Sequence, residues 1–129
     1  MLDASVVLKW FAAESESGSS QARAVRSRYE DGGLLVAVPS LMFLEVVNIA
    51  DRRWSWDESQ LLELAGALDD LGFDIAGPEL RLVAAWTARG LTAYDSAYVA
   101  LAEERASPLL TDDQRVLGLA PDLARPLVE

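Results

Sequence analysis

Residues 34–50 read LLVAVPSLMFLEVVNIA, and this stretch decides the fold class. Two glycines precede it and end a polar helix, so we expect residues 34–38 to form a fully buried strand. A Pro-Ser pair then opens a helix that is predicted to run to about Arg53. A short apolar strand leading directly into a helix is typical of α/β proteins whose parallel sheet is covered on both faces.

The rest of the chain repeats this alternation. Short strands are predicted at residues 1–3, 73–75 and 107–113, with a last edge strand at 125–128. Helices are predicted at 6–13 with Ser5 near the N-cap, at 57–71, between Pro78 and Gly90, from Thr92 to Arg105, and at 113–118. We therefore predict one domain over residues 1–129, built on a mainly parallel sheet of four or five short strands. In such sheets, sites form beyond the carboxyl ends of the strands.

The amino-acid composition limits the kinds of catalysis and metal binding that the chain can support. The 129 residues contain no histidine and no cysteine, and 11 basic against 21 acidic residues give a net charge of −10. Imidazole acid–base catalysis, His-ligated zinc, thiolate metal sites and disulfides are therefore excluded. A bound metal needs oxygen ligands, which favours Mg²⁺, Mn²⁺ or Ca²⁺. The acidity argues against loose nucleic-acid coating and fits a carboxylate-rich site, a basic protein partner or solubility.

The N-terminal residues lack the features of a targeting segment, because Asp3 and Lys9 interrupt the apolar run. Residues 34–50 are the most hydrophobic stretch, but a proline and several polar residues divide it, so we predict no membrane span. The expected location is the cytoplasm.

Glu45 is the most anomalous acid in the sequence. Its helix is apolar on nearly every side, so we expect the carboxylate to be buried and to need a partner. An ion pair with Arg52 is possible across two helical turns, but a role in a site is the stronger interpretation.

The other candidate acids have respectable structural alternatives. Asp3 and the Asp112–Asp113 pair can each cap a helix, and Asp95 can complete a capping box with Thr92. Tyr94 and its apolar neighbours predict that the helix carrying Asp95 is largely buried. Only one of the two adjacent aspartates is expected to face a shared site.

Together these acids are expected to converge at one edge of the sheet. The only lysine, Lys9, lies on the first helix and is not expected to neutralise them. Two carboxylates about 4 Å apart repel by roughly 4 kcal/mol at an effective dielectric near 20, so the cluster would splay or protonate without a cation. One or two divalent ions convert it into an oxygen site suited to phosphoryl displacement.

Four segments in this order resemble the PIN-domain family, in particular its bacterial VapC-type toxin ribonucleases. They are LDASVVLKWF (2–11), VPSLMFLEVVN (38–48), LTAYDSAYVALAE (91–103) and PLLTDDQRV (108–116). The resemblance covers nearly the whole chain. It implies a three-layer α/β/α fold and a Mg²⁺- or Mn²⁺-dependent endoribonuclease that hydrolyses RNA phosphodiester bonds with metal-activated water.

The resemblance also implies roles for individual residues. The family's acidic quartet corresponds to Asp3, Glu45, Asp95 and Asp113, which serve as catalytic residues and metal ligands. Ser5, Asn48 and Thr111 correspond to supporting polar residues. On charge alone, the candidate contacts to RNA phosphates are Arg23, Arg26, Arg28, Arg52, Arg53 and Arg115, although a solvated helix face is the stronger interpretation for most of them.

The implied partners are the RNA substrate, a basic VapB-type antitoxin that blocks the site, and a second copy of the chain in a homodimer. Two alternatives stay open: a non-catalytic PIN-like binding module and a receiver-like, Mg²⁺-dependent phosphoacceptor domain. A nuclease directed at DNA is also compatible with the residues. The short stub ahead of Asp3 raises the question of how firmly that residue is anchored.

Overall fold

The computed structural model describes residues 1–11 and 19–127. Its secondary structure alternates short strands with helices, as the sequence predicts. The elements in chain order are α1 (Ala4–Leu8), α2 (Ser19–Glu30), β1 (Ala37–Val38), α3 (Leu41–Trp54), α4 (Glu58–Asp69), β2 (Asp74–Ile75), α5 (Leu80–Ala88), α6 (Ala93–Arg105), β3 (Leu109–Thr111), α7 (Gln114–Leu119) and β4 (Ala124–Pro126).

Every strand pairing among the described residues is parallel, which is consistent with the predicted α/β class. β1 pairs with β2, and β3 pairs with β4, while Leu2 forms a further parallel bridge to Leu110. Within the described residues the strands fall into two hydrogen-bonded sets rather than one continuous sheet. The strands are only two or three residues long, so helix packing contributes most of the structure.

The N-terminal stub is firmly anchored. The Met1 amino group donates to Pro108 O at 3.0 Å, and Leu110 N donates to Met1 O at 2.9 Å. Asp3 N then donates to Leu110 O at 3.3 Å, and the Leu2 side chain is 1% exposed. The bonds of Met1 and the burial of Leu2 therefore help to hold the backbone of Asp3 against β3.

Two sequence predictions need correction. The strand at 34–38 is neither that long nor fully buried: Leu35 is 92% exposed, Val36 and Val38 are buried, and Leu34 and Ala37 are partly buried against the core. The first helix begins at Ala4 with Asp3 as its N-cap, because the Asp3 carboxylate accepts the backbone N–H groups that a Ser5 cap would leave unpaired. Residues 12–18, which include the predicted end of that helix, and 128–129 lie outside the described range.

Other helix boundaries are confirmed, with their physical causes. Asp57 and Gln60 form a reciprocal capping box at the start of α4. Thr92 caps α6 by accepting from Asp95 N at 3.1 Å. Gly90 adopts φ +117°, a conformation that favours glycine, in the turn that separates α5 from α6.

The core is organised around α6. Its central residues, 96–102, are all buried, and the helix packs against α5 and β3. α3 contributes a narrower stripe of Met42, Val46 and Ala50, spaced one turn apart. The stripe leaves Glu45 at the edge of the core rather than inside it. None of the described helices combines the length and the apolarity needed to cross a bilayer.

The anchoring of the stub can be tested with Leu2→Ala. Because Leu2 is 1% exposed, its truncation should lower the free energy of unfolding by about 2–5 kcal/mol in urea denaturation. Leu35→Ala is the matched control, since that side chain is 92% exposed and its loss should change stability by less than about 0.5 kcal/mol. Equal effects of the two substitutions would contradict the anchoring.

Candidate metal centre

Five acids surround one cavity of about 240 Å³ beyond the carboxyl end of β3. α1 and β3 bring two of its walls together, and α3 and α6 supply the others. The acids lining it are Asp3, Glu45, Asp95, Asp112 and Asp113, with Ser5 and Tyr98 among the remaining wall residues. The fold therefore brings the four sequence-predicted acids to one place from positions up to 110 residues apart in the chain.

Asp3 lies deepest and is hydrogen-bonded at both carboxylate oxygens. Oδ1 accepts from Ser5 N at 3.0 Å, Ser5 Oγ at 2.5 Å and Val6 N at 3.4 Å, and Oδ2 accepts from Thr111 Oγ1. The capping role and a site role are therefore compatible, because the cap uses only Oδ1. These donors fix the side chain in one orientation.

Burial dominates the titration of Asp3. Desolvation raises the pKa of this carboxyl from its ordinary 3.8 to about 6, although hydrogen bonds from Ser5, Thr111 and Val6 act in the opposite direction. A carboxylate at this position is electrostatically unfavourable in the metal-free protein. A cation next to it would remove that penalty.

Ser5 and Thr111 connect Asp3 to the loop that follows β3. Ser5 Oγ accepts from Asp112 N at 3.3 Å while it donates to Asp3. Thr111 Oγ1 likewise accepts from Asp113 N at 3.0 Å while it donates to Asp3. Each hydroxyl thus joins an N-terminal carboxylate to a backbone amide more than 100 residues away.

Glu45 is half-buried, less than the sequence predicts, and its partner is Tyr98 rather than Arg52. The Tyr98 hydroxyl donates to Glu45 Oε1 at 2.9 Å and ties α6 to α3. Burial raises the pKa of Glu45, and the charges of Asp95 and Asp3 raise it further. Sequence reasoning missed Tyr98, although its position three residues after Asp95 puts both side chains on one face of α6.

Asp95 and Asp113 occupy helix starts. Asp95 lies in the first turn of α6, where burial and the charge of Asp113 raise its pKa and Arg115 lowers it. Asp113 caps α7, its Oδ1 accepting from Arg115 N at 2.9 Å and Val116 N at 3.1 Å. The charge of Asp113 acts on Asp95, and the charges of Asp95 and Asp3 act on Glu45, because the four acids line one cavity.

Lys9 corrects another expectation. Its Nζ lies 3.2 Å from Asp112 Oδ2, so the lysine does neutralise one acid of the group. Both side chains are largely shielded, at 12% and 32% exposed. The neutralised acid is the one outside the predicted quartet, although it lines the same cavity. The sequence contains one lysine, Lys9, and one aspartate next to the quartet, Asp112, and this combination could have predicted the ion pair.

Asn48 and the arginines predicted to contact RNA do not line the acidic cavity. Asn48 is exposed and lines a groove next to the cavity rather than the cavity itself. Arg26 has structural contacts, since it pairs with Glu30 at 2.8 Å and donates to Trp10 O at 3.2 Å. The remaining candidates are exposed on three different helices: Arg23, Arg28, Arg52, Arg53 and Arg115.

The donor set fits a hard divalent cation, because every candidate ligand is a carboxylate oxygen. Within residues 1–11 and 19–127, however, no three acidic side chains are already close enough to hold an ion together. Asp3 is buried, whereas Glu45, Asp95 and Asp113 are partly exposed. Glu45 is bonded to Tyr98, and Asp113 Oδ1 is bonded to the start of α7. Binding of an ion therefore requires the outer carboxylates to turn towards Asp3.

Residues 1–120 match the PIN domain, so the chain belongs to the PIN-domain family. PIN domains have a three-layer α/β/α fold, are generally nucleases that act on nucleic acids, and typically use divalent metals. No curated protein matches the chain. Family membership supports a nuclease in general terms, and the acidic cavity is the candidate site.

The raised pKa of Asp3 predicts how stability depends on pH without metal. Between pH 3.8 and about 6 the folded protein retains a proton that the unfolded chain has released, so stability falls as pH rises through this window. Two pKa units correspond to about 3 kcal/mol. The stability of Asp3→Asn relative to wild type should therefore rise by about this amount between pH 4 and 7 in EDTA. A stability difference that is independent of pH would contradict the prediction.

Thr111→Val tests the hydroxyl bridge. Thr111 is fully buried, and valine has nearly the same shape. The substitution removes one hydrogen-bond donor from Asp3 and the acceptor of the Asp113 N–H group. We expect the free energy of unfolding to fall by about 1–3 kcal/mol. Thr111→Ser should restore most of the loss, because it keeps the hydroxyl. If the serine variant is no more stable than the valine variant, the bridge is not what stabilises the loop.

Proposed function

We propose that this protein is a Mg²⁺- or Mn²⁺-dependent endoribonuclease and the toxin of a VapBC-type toxin–antitoxin pair. One observation carries the nuclease part: carboxylates from four separate elements line one cavity in a PIN-domain chain that has no histidine and no cysteine. The VapC-type assignment is supported by the sequence segments around these acids.

Asp3, Glu45, Asp95 and Asp113 are the proposed ligands. A divalent ion bound by them supplies Lewis-acid activation of water and stabilises the charge on the leaving oxygen. Asp3 provides the fixed ligand, since four donors define its orientation. Tyr98 orients Glu45, and the helix caps of Thr92 and Asp113 set the positions of the remaining two.

Charge explains why the ion also matters for substrate binding. With a net charge of −10 and five acids at the cavity, the metal-free site repels phosphate. Bound ions reduce this repulsion locally, and Arg115 adds a positive charge close enough to Asp95 to lower its pKa. RNA binding should therefore depend on the divalent ion as well as on the arginines.

The remaining parts of the proposal concern the protein partners and the cellular location. An acidic toxin suits a basic antitoxin, whose cationic side chains would compete with the metal for the carboxylates. A homodimer and a cytoplasmic location complete the proposal. Co-expression with a basic antitoxin encoded next to this gene should abolish toxicity and yield a stable complex.

A non-catalytic binding module is the second candidate. The observation that favours it is that no three acids in the described part of the chain are already arranged to hold an ion. Titration calorimetry with Mn²⁺ separates the two, because the nuclease must bind the ion through these acids and a binding module need not.

The catalytic proposal is tested by Asp3→Asn and Asp95→Asn. Each removes a ligand charge with little change in volume, so Mg²⁺- or Mn²⁺-dependent cleavage of RNA should fall by at least about a hundredfold, equivalent to about 2.7 kcal/mol of barrier. Cleavage is measured on total cellular RNA by product sequencing, and EDTA should abolish it. Asp69→Asn, an exposed acid on α4, is the matched control and should cleave normally. Full activity in Asp95→Asn with an intact fold would refute the mechanism.

A further inference from the structure

An open groove of about 570 Å³ lies between α3 and the start of α6. It shares Glu45 and Asp95 with the acidic cavity, so the two lie next to each other. Leu44 and Asn48 from α3 and Tyr94 from α6 form much of its surface. Its volume lies within the range of about 300–1,000 Å³ that is usual for small-molecule sites.

Two large apolar side chains in this groove are exposed, contrary to the expectation that Tyr94 helps to bury α6. Leu44 is 73% exposed and Tyr94 is 67% exposed. Each directly precedes a proposed ligand, Glu45 or Asp95. Tyr98, one turn further along the same face of α6, is buried and bonded to Glu45, whereas Tyr94 extends that face into solvent.

The position of the groove limits what can occupy it during cleavage. A phosphodiester that reacts at the carboxylates carries a nucleoside on each side, and one of these must lie against the surface next to the cavity. The acids at the shared edge, Glu45 and Asp95, repel phosphate but accept a neutral nucleobase. The groove therefore suits the base while the phosphate lies at the metal site.

We propose that Tyr94 and Leu44 bind the nucleobase that flanks the scissile phosphate, an assignment that rests on the proposed ribonuclease function. Tyr94 stacks on one face of the base, because aromatic side chains bind the π-face of any base. Leu44 packs against the base, and the Asn48 amide, with both a donor and an acceptor, pairs with its edge. These residues determine specificity without touching the reacting atoms.

Tyr94→Ala should raise KM for RNA cleavage by at least about fivefold with a smaller change in kcat, since stacking contributes equally to substrate and transition-state binding. The probe is a short RNA pool of randomised sequence. Tyr94→Phe keeps the ring and should recover most of the affinity that Tyr94→Ala loses. Leu62→Ala, an exposed leucine on α4, is the control for loss of surface apolar area.

Asn48→Ala should broaden the base preference next to the cleavage site, which product sequencing measures on the same pool. An unchanged KM in Tyr94→Ala, with an unchanged cleavage-site preference in Asn48→Ala, would overturn the assignment while leaving the nuclease function intact. If the wild type cleaves no RNA, the proposed nuclease function is wrong. The groove assignment is then tested separately by fluorescence anisotropy, which measures binding of the same RNA pool, carrying a fluorescent label, in the presence of Ca²⁺. Weaker binding by Tyr94→Ala supports the assignment, and equal or absent binding overturns it.

A protein partner is the competing occupant. Light scattering and co-purification of wild type and Tyr94→Ala distinguish it from RNA. If the substitution disrupts self-association or antitoxin binding but leaves RNA binding and cleavage unchanged, the groove is a protein interface and the nucleobase assignment is wrong.

Discussion

The structure depends on the burial of one carboxylate, Asp3, which lies against β3. Its backbone is bonded to β3, its Oδ1 caps α1, and its Oδ2 accepts from Thr111. Burying an ionisable group so fully is unfavourable, and the pKa of about 6 expresses that cost. The surrounding donors offset part of it and thereby give Asp3 a single orientation.

Other features of the site follow from this arrangement. Because Ser5 and Thr111 each bond both Asp3 and an amide of the 111–113 loop, the loop that carries Asp113 is positioned by Asp3. The Tyr98–Glu45 bond then attaches α3 to α6 across the same cavity. The proposed metal chemistry therefore requires a charged Asp3, which the fold disfavours, and such conflicts are common where a carboxylate in a protein's interior has a function.

Much of this was predictable from the sequence because the decisive signals are local. Strand–helix alternation, the Asp57 capping box and the Thr92 cap depend on neighbouring residues only. The convergence of Asp3, Glu45, Asp95 and Asp113 could be predicted too, since the carboxyl ends of parallel strands meet at one edge. Even so, whether these acids bind metal stays a prediction. What failed depends on distant contacts: Lys9 with Asp112, Tyr98 with Glu45, and the exposure of Leu35 and Tyr94. Periodicity indicates which residues are apolar, but not which apolar residues the fold leaves uncovered.

The central claim is that the four carboxylates bind a divalent ion after the outer ones turn towards Asp3. Anomalous diffraction from crystals grown with Mn²⁺ tests it most directly. We expect a Mn²⁺ peak in the cavity, bonded to Asp3 Oδ2 and to at least two of Glu45, Asp95 and Asp113. Mn²⁺ bound elsewhere, or a cavity without an anomalous peak at saturating Mn²⁺, would contradict the account.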